Sequence, residues 1–153
     1  MVARSRAEIE KIWTHVDGMK KLADRVIGIG PFGVGLDAML TFIPVVSPLY
    51  SAGAGLWLMS QAVRARATPG TLARMAAYLI TDTATDAVPI AGSVVDIVFP
   101  GHLMAAKALQ KHIESTHWIE GRSADAKASG AWDHHRAHVA ATRGLRRVIY
   151  LHD

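Results

Sequence analysis

Apolar residues recur every three or four positions between residues 5 and 25: Ile9, Ile12, Trp13, Val16, Met19 and Ala23 share one side with Lys20. That is the period of one helix face, and Ser5 stands three residues before Glu8, the spacing of a capping box. The pattern predicts an amphipathic helix over 5–25. Polarity then falls away. From Val26 to Val63, 38 residues carry one charge, Asp37, and from Met75 to Ala106, 32 residues carry three acids and no Lys or Arg.

The two apolar blocks are related. Leu36-Asp-Ala-Met-Leu-Thr-Phe-Ile-Pro-Val-Val-Ser47 is answered by Thr81-Asp-Thr-Ala-Thr-Asp-Ala-Val-Pro-Ile-Ala-Gly92, so Asp37 and Pro44 recur as Asp82 and Pro89 at a constant offset of 45 residues. Leu58-Met59 falls on Leu103-Met104 at the same offset. Proline removes a helix donor and disfavours helix one residue earlier, so each block reads as a hairpin of apolar helices broken at Pro44 to Pro48 or at Pro89 to Gly92. Repeat one runs from about 28 to 67 and repeat two from about 71 to 112. Thr68-Pro69-Gly70 separates them, with Thr68 or Thr71 as the cap of the next helix. The last arm is predicted over His102 to Trp118. Beyond it, residues 122–130 read as a linker and Trp132 to Tyr150 as a short basic helix interrupted at Gly144.

The fold class expected is therefore all-α: two duplicated, proline-broken hairpins in residues 1–120, with an N-terminal amphipathic helix, followed by a polar basic tail over 121–153. A spanning helix needs about 20 apolar residues, and each arm here is nearer 15 and contains prolines. Paired arms suit a hairpin dipping into a bilayer. Lys20, Lys21 and Arg25, then Arg64, Arg66 and Arg74, then Lys107 and Lys111 flank the blocks, so all three basic clusters can share one face, cytoplasmic by the positive-inside tendency. Asp82, Asp86 and Asp96 weigh toward a soluble bundle, because charge at depth in lipid is costly.

Composition narrows the chemistry. The net charge of +4 suits an anionic membrane surface, and no basic stripe interleaved with aromatics points to nucleic acid. Absence of cysteine removes disulfides and thiolate catalysis. The first residues lack the apolar core of a secretory signal. Gly28-Ile-Gly30-Pro31-Phe-Gly33-Val-Gly35 lacks the Lys-Ser/Thr of a phosphate loop and reads as a turn. Without a Gly-x-Ser-x-Gly elbow either, no enzyme is expected.

The candidate positions are few. Asp37 and Asp82 read first as helix caps, with an ion or proton site as the alternative. Pro44 and Pro89 are the structural breaks. His102, among small and apolar neighbours, is the one candidate cofactor ligand, with a tetrapyrrole or lipid in view. His134 and His138 share a helix side, but no Glu completes a His-Glu-x-x-His arrangement and no metal is expected. His112 and His117, five apart, diverge on a helix. Arg64, Arg66, Arg136, Arg143, Arg146 and Arg147 are candidate contacts to a partner or to lipid headgroups.

Gly35-Leu-Asp37 with Ile43-Pro44, Leu72-Ala-Arg-Met75, and Asp82 with Val88-Pro89-Ile-Ala-Gly92 and Asp96 resemble a small bacterial and archaeal family catalogued as domain of unknown function 4112, over about residues 20–115. The resemblance implies a membrane-associated helical module. Members commonly carry Pro-Gly-Val-Gly-Asp in the first repeat, where this chain has Pro44-Val-Val-Ser47-Pro48, and an Asp where it has Ser93. Ionic work by those acids is not expected here. Together these readings lead to a non-enzymatic accessory or scaffolding subunit of a bacterial inner-membrane assembly. Its partners would be lipids and other membrane subunits, and both termini would be cytoplasmic. The alternatives are a module binding an apolar ligand and a small ion conduit.

Overall fold

The computed structural model describes residues 1–28, 46–86 and 101–153, and the side chains of 1–21, 53–81 and 101–153. Among these, the order is α1 (Arg6–Gly28), α2 (Val46–Arg64), α3 (Pro69–Asp86), α4 (Gly101–Glu114), β1 (Thr116–Ile119), α5 (Ser123–Ser129), α6 (Ala131–Ala141) and β2 (Arg147–Tyr150). The protein is mostly helical, with one small two-stranded sheet among the described residues.

The expected first helix forms, with its capping box. Glu8 N–H donates to Ser5 Oγ at 3.2 Å, while the Glu8 carboxylate accepts from Arg4 N–H at 2.6 Å, one residue earlier than the usual box. That bond is the main reason its carboxyl is held below the usual range. Ile9, Ile12 and Val16 are buried, as the period required. Pro48 lies in the first turn of α2, where a missing N–H is tolerated, so it does not break this helix. Of the expected caps, Thr68 serves α3, accepting from Thr71 N–H at its carbonyl (2.9 Å) and hydroxyl (3.4 Å), with Pro69 at the first helical position.

The α2–α3 turn is a Schellman motif. Ala67 N–H donates to Ala62 O at 2.9 Å and Arg66 N–H to Val63 O at 3.0 Å, and Arg66 occupies the left-handed position at φ 50°. Glycine usually stands there, since a side chain costs about 1–2 kcal/mol in that conformation.

Helix directions follow from cross-contacts. Trp13 Nε1 donates to Glu114 (3.0 Å) and Lys20 Nζ to Gln110 (2.7 Å), so α1 and α4 are antiparallel. Gly55 lies beside Leu79 and His102, and Ala65 beside His112, so α2 and α4 run parallel with α3 reversed against both. Gly28, Val46, Asp86 and Gly101 therefore belong to one end of the bundle. One cluster joins the four helices: Ile12 and Val16, Leu58, Met75 and Leu109 are among its fully buried members, each contributing about 1.5–3 kcal/mol. Of the small residues at 52–55, Gly55 meets Leu79, whereas Gly53 faces outward. Leu58 is fully buried while Leu103, its partner at the 45-residue offset, is half-buried. Asp37, Pro44 and Pro89, which define the repeat, lie outside the described residues.

The C-terminal third departs from expectation. The helix predicted to reach Trp118 stops at Glu114, because the Ser115 and Thr116 hydroxyls turn back onto His112 O at 3.3 and 2.7 Å and the chain leaves as β1. The expected linker is α5, and the expected helix over Trp132 to Tyr150 stops at Ala141. After a turn with Gly144 at φ 99° the chain becomes β2, pairing parallel to β1 with Thr116 opposite Arg147 and Ile119 opposite Tyr150. Gly130, at φ 77°, ends α5 and starts α6. Trp118 and Leu151 join the core of the bundle, so residues 116–151 are packed rather than a free tail.

Candidate functional site at the joint between bundle and sheet

The N-terminal segment, the α2–α3 turn and the C-terminal segment meet at the end of the bundle opposite Gly28 and Gly101. Ala3 N–H donates to Arg64 O at 2.9 Å, and His152 Nε2 lies 3.2 Å from Arg4 O. Arg66 Nη2 donates to Leu151 O (2.8 Å) and Asp153 O (3.1 Å), which offsets its strained backbone. Arg146 N–H donates to Ser115 O, Leu151 N–H to Ile119 O and His152 N–H to Gly121 O, fastening the chain on both sides of β2.

His112 stands at the centre, only 2 % exposed. Its Nδ1 accepts from the Arg147 guanidinium across the register pair Thr116–Arg147. Its Nε2 is buried, faces the Ala65 backbone and has no hydrogen bond of proper geometry. The Trp118 ring meets it edge-on at 6.1 Å, anchored by an indole N–H bond to Ile113 O at 3.1 Å. An imidazole that accepts from a guanidinium must be neutral. Burial, reinforced by the Arg147 charge, pushes its pKa down to about 4.

A second group of imidazoles lies on the outer side of β1. His117 is 4.6 Å from His138 and 5.7 Å from His135 between ring centroids, and His135 Nδ1 is 2.9 Å from the Tyr150 hydroxyl. Desolvation first, then the charges of His138, His135 and Arg6, lower the His117 pKa. Burial, then Asp153, raises that of Tyr150. Trp132 stacks on Tyr150 at 5.4 Å and carries the Lys127 ammonium at 4.8 Å. Beside His117, an open groove of about 510 Å³ separates α1 from β1, lined by Arg6, Glu10, Trp13, Thr14 and Trp118. Arg6 spends its guanidinium on Trp118 O, at 2.9 and 2.5 Å. Among the described residues, no three His, Asp or Glu are arranged to hold a metal ion.

The sequence candidates are dispersed. Asp82 falls inside α3, near its C-terminal end, where helix carbonyls rather than free N–H groups are available. The cap expected of it has no place there. His102 packs at the α2–α3–α4 seam, its Nε2 3.7 Å from where a β-carbon on Gly55 would lie. Arg66 and Arg147 make their hydrogen bonds across the joint. Arg64, Arg136, Arg143 and Arg146 are exposed. The expected His134–His138 pair is not the one assembled: His134 points to solvent, and α6 presents His135 and His138 to His117 instead. His112 and His117 were read on one helix. Their separation onto α4 and β1 was signalled by the β-branched and aromatic runs Thr116-His-Trp-Ile119 and Arg147-Val-Ile-Tyr150, bounded by Gly121 and Gly144.

No curated protein and no solved structure matches the chain. A family model does match residues 12–113, from the first turns of α1 to the end of α4, which leaves β1 through β2 beyond the match. On that match, the chain belongs to the family described as Domain of unknown function (DUF4112).

Proposed function

We propose that this protein is a non-enzymatic, membrane-associated helical module, an accessory or scaffolding subunit of a larger membrane assembly. The observation that carries the reading is the outer surface of α2 and α3. Leu56, Val63 and Ile80 are 73, 54 and 68 % exposed, and α2 has no charged residue from Val46 to Val63. Gly53, Leu56, Ser60 and Val63 form one outward stripe, and Ala73, Ala77 and Ile80 another. An exposed apolar face, uncharged along α2 and flanked on α3 by the exposed Arg74, suits a bilayer interface or a packed partner. The stretches joined to the same end of the bundle, 29–45 and 87–100, are apolar in sequence, with one charge each, Asp37 and Asp96.

In this reading the Arg64 and Arg66 end faces the cytoplasm of a bacterial cell. Among the described residues no helix is long and apolar enough to cross a membrane, and the contact proposed is embedding of a face or an end. Flotation with vesicles containing anionic lipid tests this. Wild-type protein is expected to float with the vesicles, and Leu56→Asp/Val63→Asp/Ile80→Asp to lose at least tenfold in partitioning while keeping its helical circular dichroism. Equal partitioning of the two, or wild-type protein that stays in solution, would overturn it.

A second reading, an apolar-ligand module, draws on an open groove of about 670 Å³ between α1 and α2, lined by His15, Met19, Gly53, Ala54 and Trp57. It requires a lipid-like species that copurifies and is lost in Trp57→Ala.

A further inference from the structure

Five of the eight histidines, His112, His117, His135, His138 and His152, gather at the joint, and none of them belongs to the outer face of α2 and α3. Their surroundings are short of negative charge. His112 faces Arg147 from β2, the Ala65 backbone from the α2–α3 turn and the Trp118 edge from β1. His117 faces Arg6 and Glu10 from α1 and two further imidazoles from α6. Of the other nearby acids, Glu114 holds the Trp13 indole and Glu120 accepts from Arg6 N–H at 2.6 Å. A proton added to His112 would set N–H against N–H and cation against cation at a site closed to water.

We propose that the joint is a proton-operated latch, in which protonation of His112, supported by His117, releases β2 and the Leu151–Asp153 segment from a bundle that stays folded. The parts are arranged for selective release. His112 sits on α4, within the family match, whereas Arg147 sits beyond it. The contacts of Arg147, Arg146 and Arg66 with their partners across the joint are the ones that would part, while the packing of α3 on α4 is untouched.

The sign follows from the lowered value. Between an ordinary 6.5 and about 4, the opened state binds a proton that the closed state does not. The latch is fully closed above pH 6.5 and weakens as pH falls toward 4. For His112 alone, the opening equilibrium at pH 5 is about 30-fold larger than at pH 7.5.

Native-state amide exchange on the full chain, corrected for intrinsic rates, reads this directly. From pH 7.5 to 5, the amides of Arg146, Leu151 and His152 are expected to lose about 30-fold in protection, and those of α3 less than threefold. In His112→Asn, whose Oδ1 can accept from Arg147 without titrating, the loss at the sheet should fall below about threefold. Sheet and α3 amides moving together, or an undiminished response in His112→Asn, would overturn the latch. Should that variant not fold, the wild-type His112 ring titrated by NMR decides: a ring titration that tracks the loss of protection at the Leu151 and His152 amides over the same pH range supports the latch, and a ring that titrates without that loss removes it.

Discussion

The two ends of this bundle use helix termini for opposite purposes. At the end holding Gly28, Val46, Asp86 and Gly101, the chain continues into apolar sequence, and the neighbouring face of α2 leaves Leu56 bare. At the other end, a strained turn, a buried histidine and two arginines bind the sheet to the helices through a set of hydrogen bonds. Near one end apolar side chains of α2 and α3 stand exposed; at the other, most polar groups are spent on internal hydrogen bonds, with Arg66 Nε and His112 Nε2 left without a partner. Charge count alone does not show what each arginine does: Arg66 and Arg147, candidate contacts to a partner or headgroups, also bond across the joint.

The ends share a core, so the largest expected effect is common to both. Leu109→Ala, at a fully buried position of α4, should cost about 2–5 kcal/mol and lower the unfolding midpoint of bundle and sheet together. Denaturant unfolding followed by far-ultraviolet circular dichroism, and by Trp118 fluorescence in a Trp13→Phe/Trp57→Phe/Trp132→Phe background, checks this. Separate transitions would mean that the sheet is an independent unit. A smaller effect should be confined to the joint. Arg66→Ala removes the donors to Leu151 O and Asp153 O and should cost about 2 kcal/mol, while Arg66→Gly should cost about 1 kcal/mol less, because glycine relieves the left-handed strain. The order of the two variants in thermal unfolding distinguishes strain from bonding: if Gly is no better than Ala, φ 50° carries no cost.

The bundle was legible in the sequence because its signals are local. The three-to-four spacing of Ile9, Ile12 and Val16, the Ser5–Glu8 box and Thr68 before Pro69 each specify one helix start or face, and each recurs in the structure. The joint was not legible, because it is built from pairs far apart in sequence. Arg66 with Leu151, and His112 with Arg147, leave no periodic trace. The sheet could have been read. Its strands are four residues each and carry strand-forming residues, but a basic composition around them favoured reading a solvated tail. Asp82 was misplaced for a related reason: an acid after a threonine resembles a cap, yet the helix begun at Pro69 runs on to Asp86.

Whether α2 and α3 meet a bilayer while the joint stays clear of it can be tested at single residues because the chain has no cysteine. Spin labels placed one at a time at Leu56→Cys, Ile80→Cys and Arg136→Cys would be read by power saturation with oxygen and with a polar nickel chelate, with and without anionic vesicles. Vesicles are expected to raise oxygen access at 56 and 80 and shield those labels from the chelate, and to leave the label at 136, on exposed α6, unchanged. Labels at 56 and 80 that remain as open to the chelate as the one at 136 would contradict that expectation.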